Sequence, residues 1–198
     1  MLDRLARRLV DPPLVAAGRR LAKAGVKADH LTWLGFGAGM AACLALALQF
    51  YPAALLLIVV NRLLDGLDGP VARAGSGATD FGGYLDIVLD FLFYAAAPVA
   101  FAAGRPDAAL VASLLVLSFV GTGTSFLAFA ILATKRGLRN GPRSFFYLGG
   151  LAEGTETALF LLAICVWPER FAWIAVLFMA LCWATVAGRV LAAARAFR

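Results

Sequence analysis

The sequence has 198 residues, of which 62% are hydrophobic and 15% are charged, and its formal net charge is +6. A soluble domain is about 45–50% apolar and about 25% charged, so this composition excludes an ordinary soluble domain. The length and the composition together predict a single membrane domain over residues 1–198.

The N-terminal segment, residues 1–27, is rich in arginine and lysine and is interrupted by prolines. It is too basic and too broken to contain the apolar core of a cleavable signal peptide. Leu5, Leu9 and Val10 lie among its arginines. This pattern predicts an amphipathic helix that ends before Pro12 and lies in the membrane interface, where it would contact anionic lipid headgroups.

Six apolar stretches follow, and each has about the 18 to 20 residues that a membrane-spanning helix needs. They comprise residues 31–50, 53–72, 81–103, 108–133, 145–167 and 171–194. The sequence therefore predicts an all-α integral membrane protein with a six-helix bundle over residues 31–194. Asp80 immediately precedes the third stretch and is predicted to be its N-cap.

The basic residues indicate how this bundle is oriented. In the six-span arrangement, all of the 18 lysines and arginines except Arg105 and Arg170 fall on one side. Short cytoplasmic loops of membrane proteins carry an excess of positive charge. Both termini are therefore predicted to be cytoplasmic.

Four aspartates lie within or at the ends of the second and third stretches. A carboxylate at the centre of a spanning helix costs about 2.5–3.5 kcal/mol. Asp65 and Asp68 are three residues apart, and Asp86 and Asp90 are four apart, so each pair occupies one helix face. The connection between the two helices is short, which predicts antiparallel neighbours with converging carboxylates. Such a set of oxygen ligands suits Mg²⁺ or Mn²⁺.

These aspartates belong to a longer pattern with eight fixed positions, which reads Asp65-x2-Asp68-Gly69-x2-Ala72-Arg73-x8-Gly82-x3-Asp86-x3-Asp90. The pattern resembles the signature of the CDP-alcohol phosphatidyltransferase family. The resemblance implies a metal-dependent enzyme of phospholipid biosynthesis that transfers a phosphatidyl group from CDP-diacylglycerol to an alcohol and releases CMP. It also implies a homodimer in a bacterial inner membrane, surrounded by lipid and without a nucleic-acid partner.

The resemblance further implies a role for each aspartate. Asp65, Asp68 and Asp86 would be ligands of a two-metal site that holds Mg²⁺ or Mn²⁺. Asp90 would bind one of the metals and would also act as the general base on the acceptor hydroxyl. A positioned carboxylate can accept a proton in this way.

A second set of residues is implied to contact the CDP moiety. It consists of Gly69, Arg73, Thr79, Asp29 and Thr32. The last two belong to a stretch before the first span that reads Ala28-Asp29-His30-Leu31-Thr32. Members of the family usually have proline where this chain has Ala28, so this part of the resemblance is incomplete.

The sequence leaves the acceptor open among serine, glycerol phosphate, inositol phosphate and a lipid that carries a headgroup. Glu153 and Glu156 share a helix face and are interpreted as part of an acceptor pocket, or as partners of Lys135 or Arg136. Basic residues on the cytoplasmic side are the candidates for binding an acceptor phosphate, although topology alone also explains them. These basic residues are Lys135, Arg136, Arg139, Arg143 and Arg189.

Two other functions remain as alternatives. An intramembrane prenyltransferase also binds a diphosphate through aspartates and Mg²⁺, but such enzymes are usually longer and lack the Gly69-x2-Ala72-Arg73 segment. A metal-ion transporter would need carboxylates near the bilayer midplane and towards both sides. The four aspartates here cluster towards one side, which favours the transferase.

Overall fold

The computed structural model describes residues 2–75, 77–137 and 149–197, and within these ranges the chain is helical without a β-strand. Two short 3₁₀ turns, Pro106–Ala108 and Pro168–Arg170, connect neighbouring helices. The α-helices are α1 (Leu2–Lys23), α2 (Ala28–Ala47), α3 (Tyr51–Ala74), α4 (Asp80–Gly104), α5 (Ala109–Lys135), α6 (Gly154–Val166) and α7 (Phe171–Phe197).

Four helical segments of the described chain are long and apolar enough to cross a membrane. They are α2, α4, α5 and α7, the last two together with the 3₁₀ turns that precede them. Helix α3 has 24 residues but carries two arginines and two aspartates. Helix α6 has 13 residues, about 20 Å at 1.5 Å per residue, and a bilayer core is about 30 Å thick. The predicted helical membrane protein is thus confirmed with four candidate spans, and the fifth predicted stretch begins outside the described residues.

Helix α1 extends beyond the predicted end. It continues through Pro12 and Pro13 to Lys23. Proline usually ends or bends a helix, but here the second half of α1 packs closely on α3. A Cβ atom on Gly18 would lie 2.5 Å from the Cβ of Pro70, and one on Gly66 would lie 2.9 Å from Leu14. This tertiary contact explains why the helix does not end before Pro12.

Helix α2 packs closely on both α3 and α4, and small residues lie at these contacts. A Cβ atom on Gly39 would lie 2.8 Å from the Phe93 ring, so this ring of α4 packs directly on the backbone of α2. Asn61 of α3 is buried and donates a hydrogen bond to the carbonyl of Gly35 in α2 at 2.8 Å. These contacts hold both α3 and α4 against α2, and polar side chains of α3 and α4 then meet, as in the hydrogen bond from Arg62 to Asp90.

The turn between α3 and α4 determines where α4, which carries Asp86 and Asp90, begins. Gly77 has a φ of +92°, a value that glycine adopts without strain. Thr79 then caps α4, because its hydroxyl accepts a hydrogen bond from the Gly82 N–H at 3.0 Å. The prediction that Asp80 is the N-cap is therefore wrong. Thr79 has the extended backbone that a cap requires, and Asp80 is already the first helical residue.

Candidate active site

Three of the four aspartates meet in the space between α3 and α4. Asp65 and Asp68 of α3 and Asp86 of α4 each present one carboxylate oxygen, and these oxygens lie within 4.8 Å of one another. All three residues are half-buried. Thr32 of α2 donates a hydrogen bond to Oδ2 of Asp68 at 2.8 Å. Side chains from three helices therefore build this group, which we call the carboxylate cluster.

Asp90 lies beside the carboxylate cluster and has different partners. Its Oδ1 accepts a hydrogen bond from Arg62 at 2.8 Å, and its Oδ2 accepts one from the Tyr94 hydroxyl at 2.9 Å. Arg62 also lies 3.5 Å from Oδ2 of Asp65, so one guanidinium contacts carboxylates on both helices. Among the four aspartates, Asp90 is the one that holds a charged hydrogen bond.

The donor atoms of the carboxylate cluster fit a divalent cation. Three carboxylates gathered in a half-buried place repel one another unless positive charge offsets them. Mg²⁺ and Mn²⁺ prefer such hard oxygen ligands, whereas sulfur or imidazole would suit other metals. Asp65, Asp68 and Asp86 are thus the described residues best placed to hold such an ion.

The carboxylate cluster opens into a cavity of about 700 Å³. Ligand-binding cavities are usually about 300–1,000 Å³, so this one has the size of a substrate site. Its walls come from α1, α3, α4, α5, α6 and α7. All four aspartates line it, together with Gly69 and Arg73 on one side and Glu153 and Arg189 on another.

The residues predicted to contact CDP lie around the carboxylate cluster, but they do not form one surface. A Cβ atom on Gly69 would lie 3.1 Å from Nη1 of Arg73, so this glycine leaves room for the guanidinium on the cavity wall. Asp29 is near α4, where its Oδ1 would lie 3.4 Å from a Cβ on Gly82. Thr32 hydrogen-bonds Asp68 directly, whereas Thr79 is occupied as the cap of α4.

The two glutamates of the predicted acceptor pocket form a reciprocal capping box at the start of α6. Oε1 of Glu153 accepts a hydrogen bond from the Gly150 N–H at 2.7 Å, and Oε2 of Glu156 accepts one from the Glu153 N–H at 3.3 Å. Glu153 lines the cavity, and Glu156 is buried. The start of α6 is therefore a wall of the cavity whose shape depends on these two side chains.

The basic residues predicted around the acceptor are dispersed. Arg136 donates to the carbonyls of Ala196 and Phe197 at 2.9 and 2.8 Å, so it stabilises the end of α7 instead of pairing with the glutamates. Lys135 is exposed at the end of α5. Arg139 and Arg143 lie outside the described residues.

Arg189 is the basic acceptor candidate that lines the cavity. It is buried, donates to the carbonyl of Thr122 at 2.8 Å and lies 5.5 Å from the ring centre of Phe126. Its place on α7 explains how a residue so late in the sequence reaches the same cavity as the aspartates of α3 and α4.

Sequence reasoning assigned no role in the site to Tyr94 or to Arg62. The signal was present in the spacing, since Tyr94 follows Asp90 by four residues and Arg62 precedes Asp65 by three, so each pair lies on one helix face. The contact between Arg62 and Asp90 joins different helices and becomes visible only in the fold.

A helical membrane bundle with an acidic, metal-compatible cluster in a substrate-sized cavity defines a class of membrane-embedded enzymes. The chain belongs to the CDP-alcohol phosphatidyltransferase family, whose sequence profile matches residues 26–191. The resemblance inferred from the aspartate pattern is thereby confirmed, and the chain is an enzyme of phospholipid biosynthesis.

Two relatives cover most of the chain. It is 50% identical over 194 residues to inner membrane protein YnjF of Escherichia coli (strain K12), and the matched region covers 96% of this chain and 94% of that protein. It is 31% identical over 170 residues to archaetidylinositol phosphate synthase of Pyrococcus horikoshii, and the matched region covers 80% of this chain and 87% of that protein.

Solved structures share the fold. The chain is similar to phosphatidylinositol phosphate synthase of Mycobacterium tuberculosis with CDP-DAG bound, with a TM-score of 0.71, 22% identity and coverage of 90% of this chain and 92% of that one. The same enzyme in complex with manganese and citrate gives a TM-score of 0.66 at 22% identity, over 90% of this chain and 87% of that one.

Proposed function

We propose that this enzyme transfers a phosphatidyl group from CDP-diacylglycerol to the hydroxyl of an alcohol and releases CMP. The observation that carries the proposal is the carboxylate cluster, which brings three of the four aspartates of the family pattern within 4.8 Å of one another at the edge of a cavity of about 700 Å³. The donor is supported by the structural relative from Mycobacterium tuberculosis, which has CDP-DAG bound.

Asp65, Asp68 and Asp86 would hold Mg²⁺ or Mn²⁺, with Asp90 as a further ligand if two ions bind. Bound metal would offset the charge that develops on the diphosphate as its bond to CMP breaks. The relative that was solved with manganese supports the use of a divalent ion, and the oxygen-only ligands fit both metals.

The remaining residues would bind and orient the two substrates. Gly69 and Arg73 line the cavity beside the cluster and would contact the CDP moiety. Asp29, Thr32 and Thr79 lie outside the walls of this cavity and would complete the contacts to CDP. Asp90 would accept the proton of the acceptor hydroxyl, since each of its oxygens has one hydrogen-bond donor and keeps acceptor capacity.

The acceptor would enter on the side of the cavity formed by α6 and α7. Glu153 and Arg189 line this side, and Glu156, Lys135 and Arg136 are the other residues proposed for it. Inositol phosphate is the first acceptor to test, because the relatives named above include an archaetidylinositol phosphate synthase and a phosphatidylinositol phosphate synthase. Serine, glycerol phosphate and a headgroup-bearing lipid are the other candidates.

In the membrane, α3 and α6 would complete a bundle of six spans. Helix α3 has 24 residues, and its charged residues lie from its midpoint at Arg62 onwards, so the apolar part before Arg62 can enter the bilayer. Helix α1 would lie in the interface, and the termini would be cytoplasmic. A homodimer in the bacterial inner membrane is proposed by analogy with the family.

The test is an assay of purified protein in lipid nanodiscs with CDP-diacylglycerol and Mg²⁺ or Mn²⁺. Each candidate acceptor is added separately, CMP release is measured by chromatography, and the lipid product is identified by mass spectrometry. We expect CMP release and one new lipid with one acceptor, complete loss with EDTA, and recovery when Mn²⁺ is returned. Absence of CMP release with every acceptor, from protein that is folded, would reject the proposed reaction.

Replacement of the proposed base tests the role of Asp90 separately. Asp90→Asn should reduce turnover to background while nucleotide binding, measured with CDP and Mn²⁺, stays close to that of the wild type. Asp107→Asn is the matched control, because Asp107 is exposed outside the bundle at the far end from the cavity. Full activity of Asp90→Asn would show that Asp90 is not the base.

A further inference from the structure

The segment that precedes α6 is attached to α7 by hydrogen bonds and close packing. The Thr185 hydroxyl of α7 accepts hydrogen bonds from the N–H groups of Leu151 and Ala152, both at 2.9 Å. A Cβ atom on Gly150 would lie 2.3 Å from Cγ2 of Thr185, so this part of the chain packs directly on α7. These contacts fix the start of α6 relative to α7.

This segment also holds the side chain of Glu153, which is the N-cap of α6. Its Oε1 accepts a hydrogen bond from the Gly150 N–H at 2.7 Å, and its carboxylate also accepts one from the backbone N–H of Glu156. A Cβ atom on Gly149 would lie 2.9 Å from the same Oε1. The carboxylate is thus held by its own segment, and Glu153 lines the cavity. Its orientation is determined before any substrate binds.

Helix capping alone does not explain a glutamate at this position. Asparagine, aspartate, serine and threonine are the preferred N-caps, and glutamate is not among them. The chain uses such a residue elsewhere, since Thr79 caps α4. A carboxylate in a half-buried place is costly unless hydrogen bonds or opposite charge offset it. A second role for the Glu153 carboxylate therefore lies in the cavity that it lines.

The side of the cavity around Glu153 is rich in groups that form hydrogen bonds. We call this side the acceptor wall, and it consists of Glu153, Thr155 and Thr157 of α6, Thr122 of α5 and Arg189 of α7. Arg189 follows Thr185 by four residues, so it lies on the face of α7 that holds the start of α6. The acceptor wall therefore combines one carboxylate, one guanidinium and three hydroxyls.

These groups indicate which acceptor would fit. A carboxylate has roughly four acceptor positions, so the two hydrogen bonds to Glu153 leave about two of them for donors of a substrate. Hydroxyls and ammonium groups are such donors. The Arg189 guanidinium on the same wall repels an ammonium but attracts a phosphate. An acceptor with several hydroxyls and one phosphate matches both charged groups.

We propose that Glu153 is a specificity-determining residue, whose carboxylate binds hydroxyls of the acceptor other than the one that reacts. The inference rests on the proposed function, because it concerns the acceptor of that reaction. The acceptor is accordingly a polyol phosphate, in which a hydroxyl that does not react is recognised by Glu153. Serine lacks such a hydroxyl.

The test removes the two partners of this hydrogen bond in turn. Rates of CMP release are measured in lipid nanodiscs with CDP-diacylglycerol and Mn²⁺, for wild type and Glu153→Ser. The acceptors are myo-inositol phosphate and its monodeoxy analogues, glycerol phosphate and hydroxypropyl phosphate, which lacks the secondary hydroxyl, and L-serine. In the wild type, removing the recognised hydroxyl from the acceptor should raise the KM for the acceptor at least about tenfold, because a hydrogen bond to a charged group is lost.

Glu153→Ser should produce the same loss from the side of the protein. The KM for the complete acceptor should rise at least about tenfold, while the KM for CDP-diacylglycerol stays within about twofold of wild type. In this variant, removing the hydroxyl from the acceptor should raise the KM by less than a further factor of about two, because both changes remove one interaction. A purely structural role of Glu153 would not depend on a hydroxyl of the substrate.

Two comparisons separate this effect from damage to the fold. Serine is itself a preferred N-cap, so the melting temperature of Glu153→Ser should stay within about 2 °C of wild type. Glu169→Ser is the matched control, because it makes the same change where the side chain is 79% exposed, and its kinetics should equal those of wild type. Glu153→Gln keeps the length of the side chain and one carbonyl oxygen, so its KM for the acceptor should rise only about threefold.

Two results would overturn the inference. One is an equal effect of the missing hydroxyl on wild type and on Glu153→Ser, since the hydroxyl would then be recognised elsewhere. The other is CMP release with L-serine or a headgroup-bearing lipid as the sole acceptor. If folded wild type released CMP with no acceptor at all, the proposed function would fail instead, so the two failures are distinguishable.

Discussion

The two ends of the bundle differ in composition and packing: one is charged and surrounds a cavity, and the other is aromatic and closely packed. At the acidic end, which comprises the carboxylate cluster, Asp90 and Arg62, charged groups surround a cavity of about 700 Å³. At the aromatic end, which comprises Tyr51, Phe101 and Phe171, the rings of Phe101 and Phe171 are stacked with centroids 4.0 Å apart. Phe101 and Phe171 are 1% and 3% exposed, so this end is closely packed and dry.

Backbone contacts tighten the aromatic end further. A Cβ atom on Gly104 would lie 2.6 Å from the carbonyl oxygen of Ala47, and Gln49 donates to the Gly104 carbonyl at 2.7 Å. The acidic end instead holds like charges together, which favours the bound state of the enzyme over the empty one. Packing at the aromatic end therefore stabilises helices that carry the energetically costly polar groups at the acidic end.

The largest effect on activity is expected from the acidic end. Asp86→Asn should lower turnover by about 1,000-fold, because a catalytic metal contributes several kcal/mol and each 1.4 kcal/mol is about tenfold in rate. The melting temperature in detergent without metal should be unchanged or higher, since one repelling carboxylate is removed. Activity above about a tenth of wild type would exclude Asp86 from the metal site. Glu169→Gln, at the aromatic end, is the control.

The largest effect on stability is expected from the aromatic end. Phe101→Ala should lower the free energy of unfolding by about 3–5 kcal/mol, because it removes a stacked ring from a buried site. Turnover per folded molecule should stay within about twofold of wild type. Denaturant unfolding and activity are measured on the same preparation, with Phe50→Ala as the control because Phe50 is 62% exposed. A selective loss of turnover would show that the two ends are not separate.

The smallest effect is expected from the surface ion pair at the aromatic end. Arg105 lies 3.0 Å from Glu169, but the Glu169 side chain is 79% exposed. Arg105→Gln should therefore change the free energy of unfolding by less than about 1 kcal/mol and leave turnover unchanged. The same denaturant titration measures it. A decrease of more than about 2 kcal/mol in the free energy of unfolding would mean that this ion pair, and not the stacked rings, mainly stabilises the aromatic end.

Local sequence patterns predicted the helices well where one physical signal dominated. The apolar stretches predicted over 81–103 and 171–194 correspond to α4 and α7, because an uninterrupted apolar run has few alternatives to a helix. The boundaries were less certain where caps decided them. Thr79 and not Asp80 caps α4, and both residue types are good N-caps, so composition alone could not distinguish them.

Helix α1 illustrates the limit of local signals more sharply. Its two prolines argued for a helix that ends early, whereas the helix continues to Lys23. The contact of Gly18 with Pro70 joins residues that are 52 positions apart in the sequence numbering. Such a contact outweighs the local preference of proline, and its energy cannot be read from the segment itself.

The sequence by itself determined the membrane character of the chain, its family and the approach of Asp65, Asp68 and Asp86, because hydropathy and helical spacing act over short distances. Only the tertiary structure decided that Arg62 of α3 holds Asp90 of α4 and that the start of α6 lines the same cavity. Those contacts depend on how closely the helices approach one another. That approach is determined by small residues and buried hydrogen bonds distributed along the whole chain.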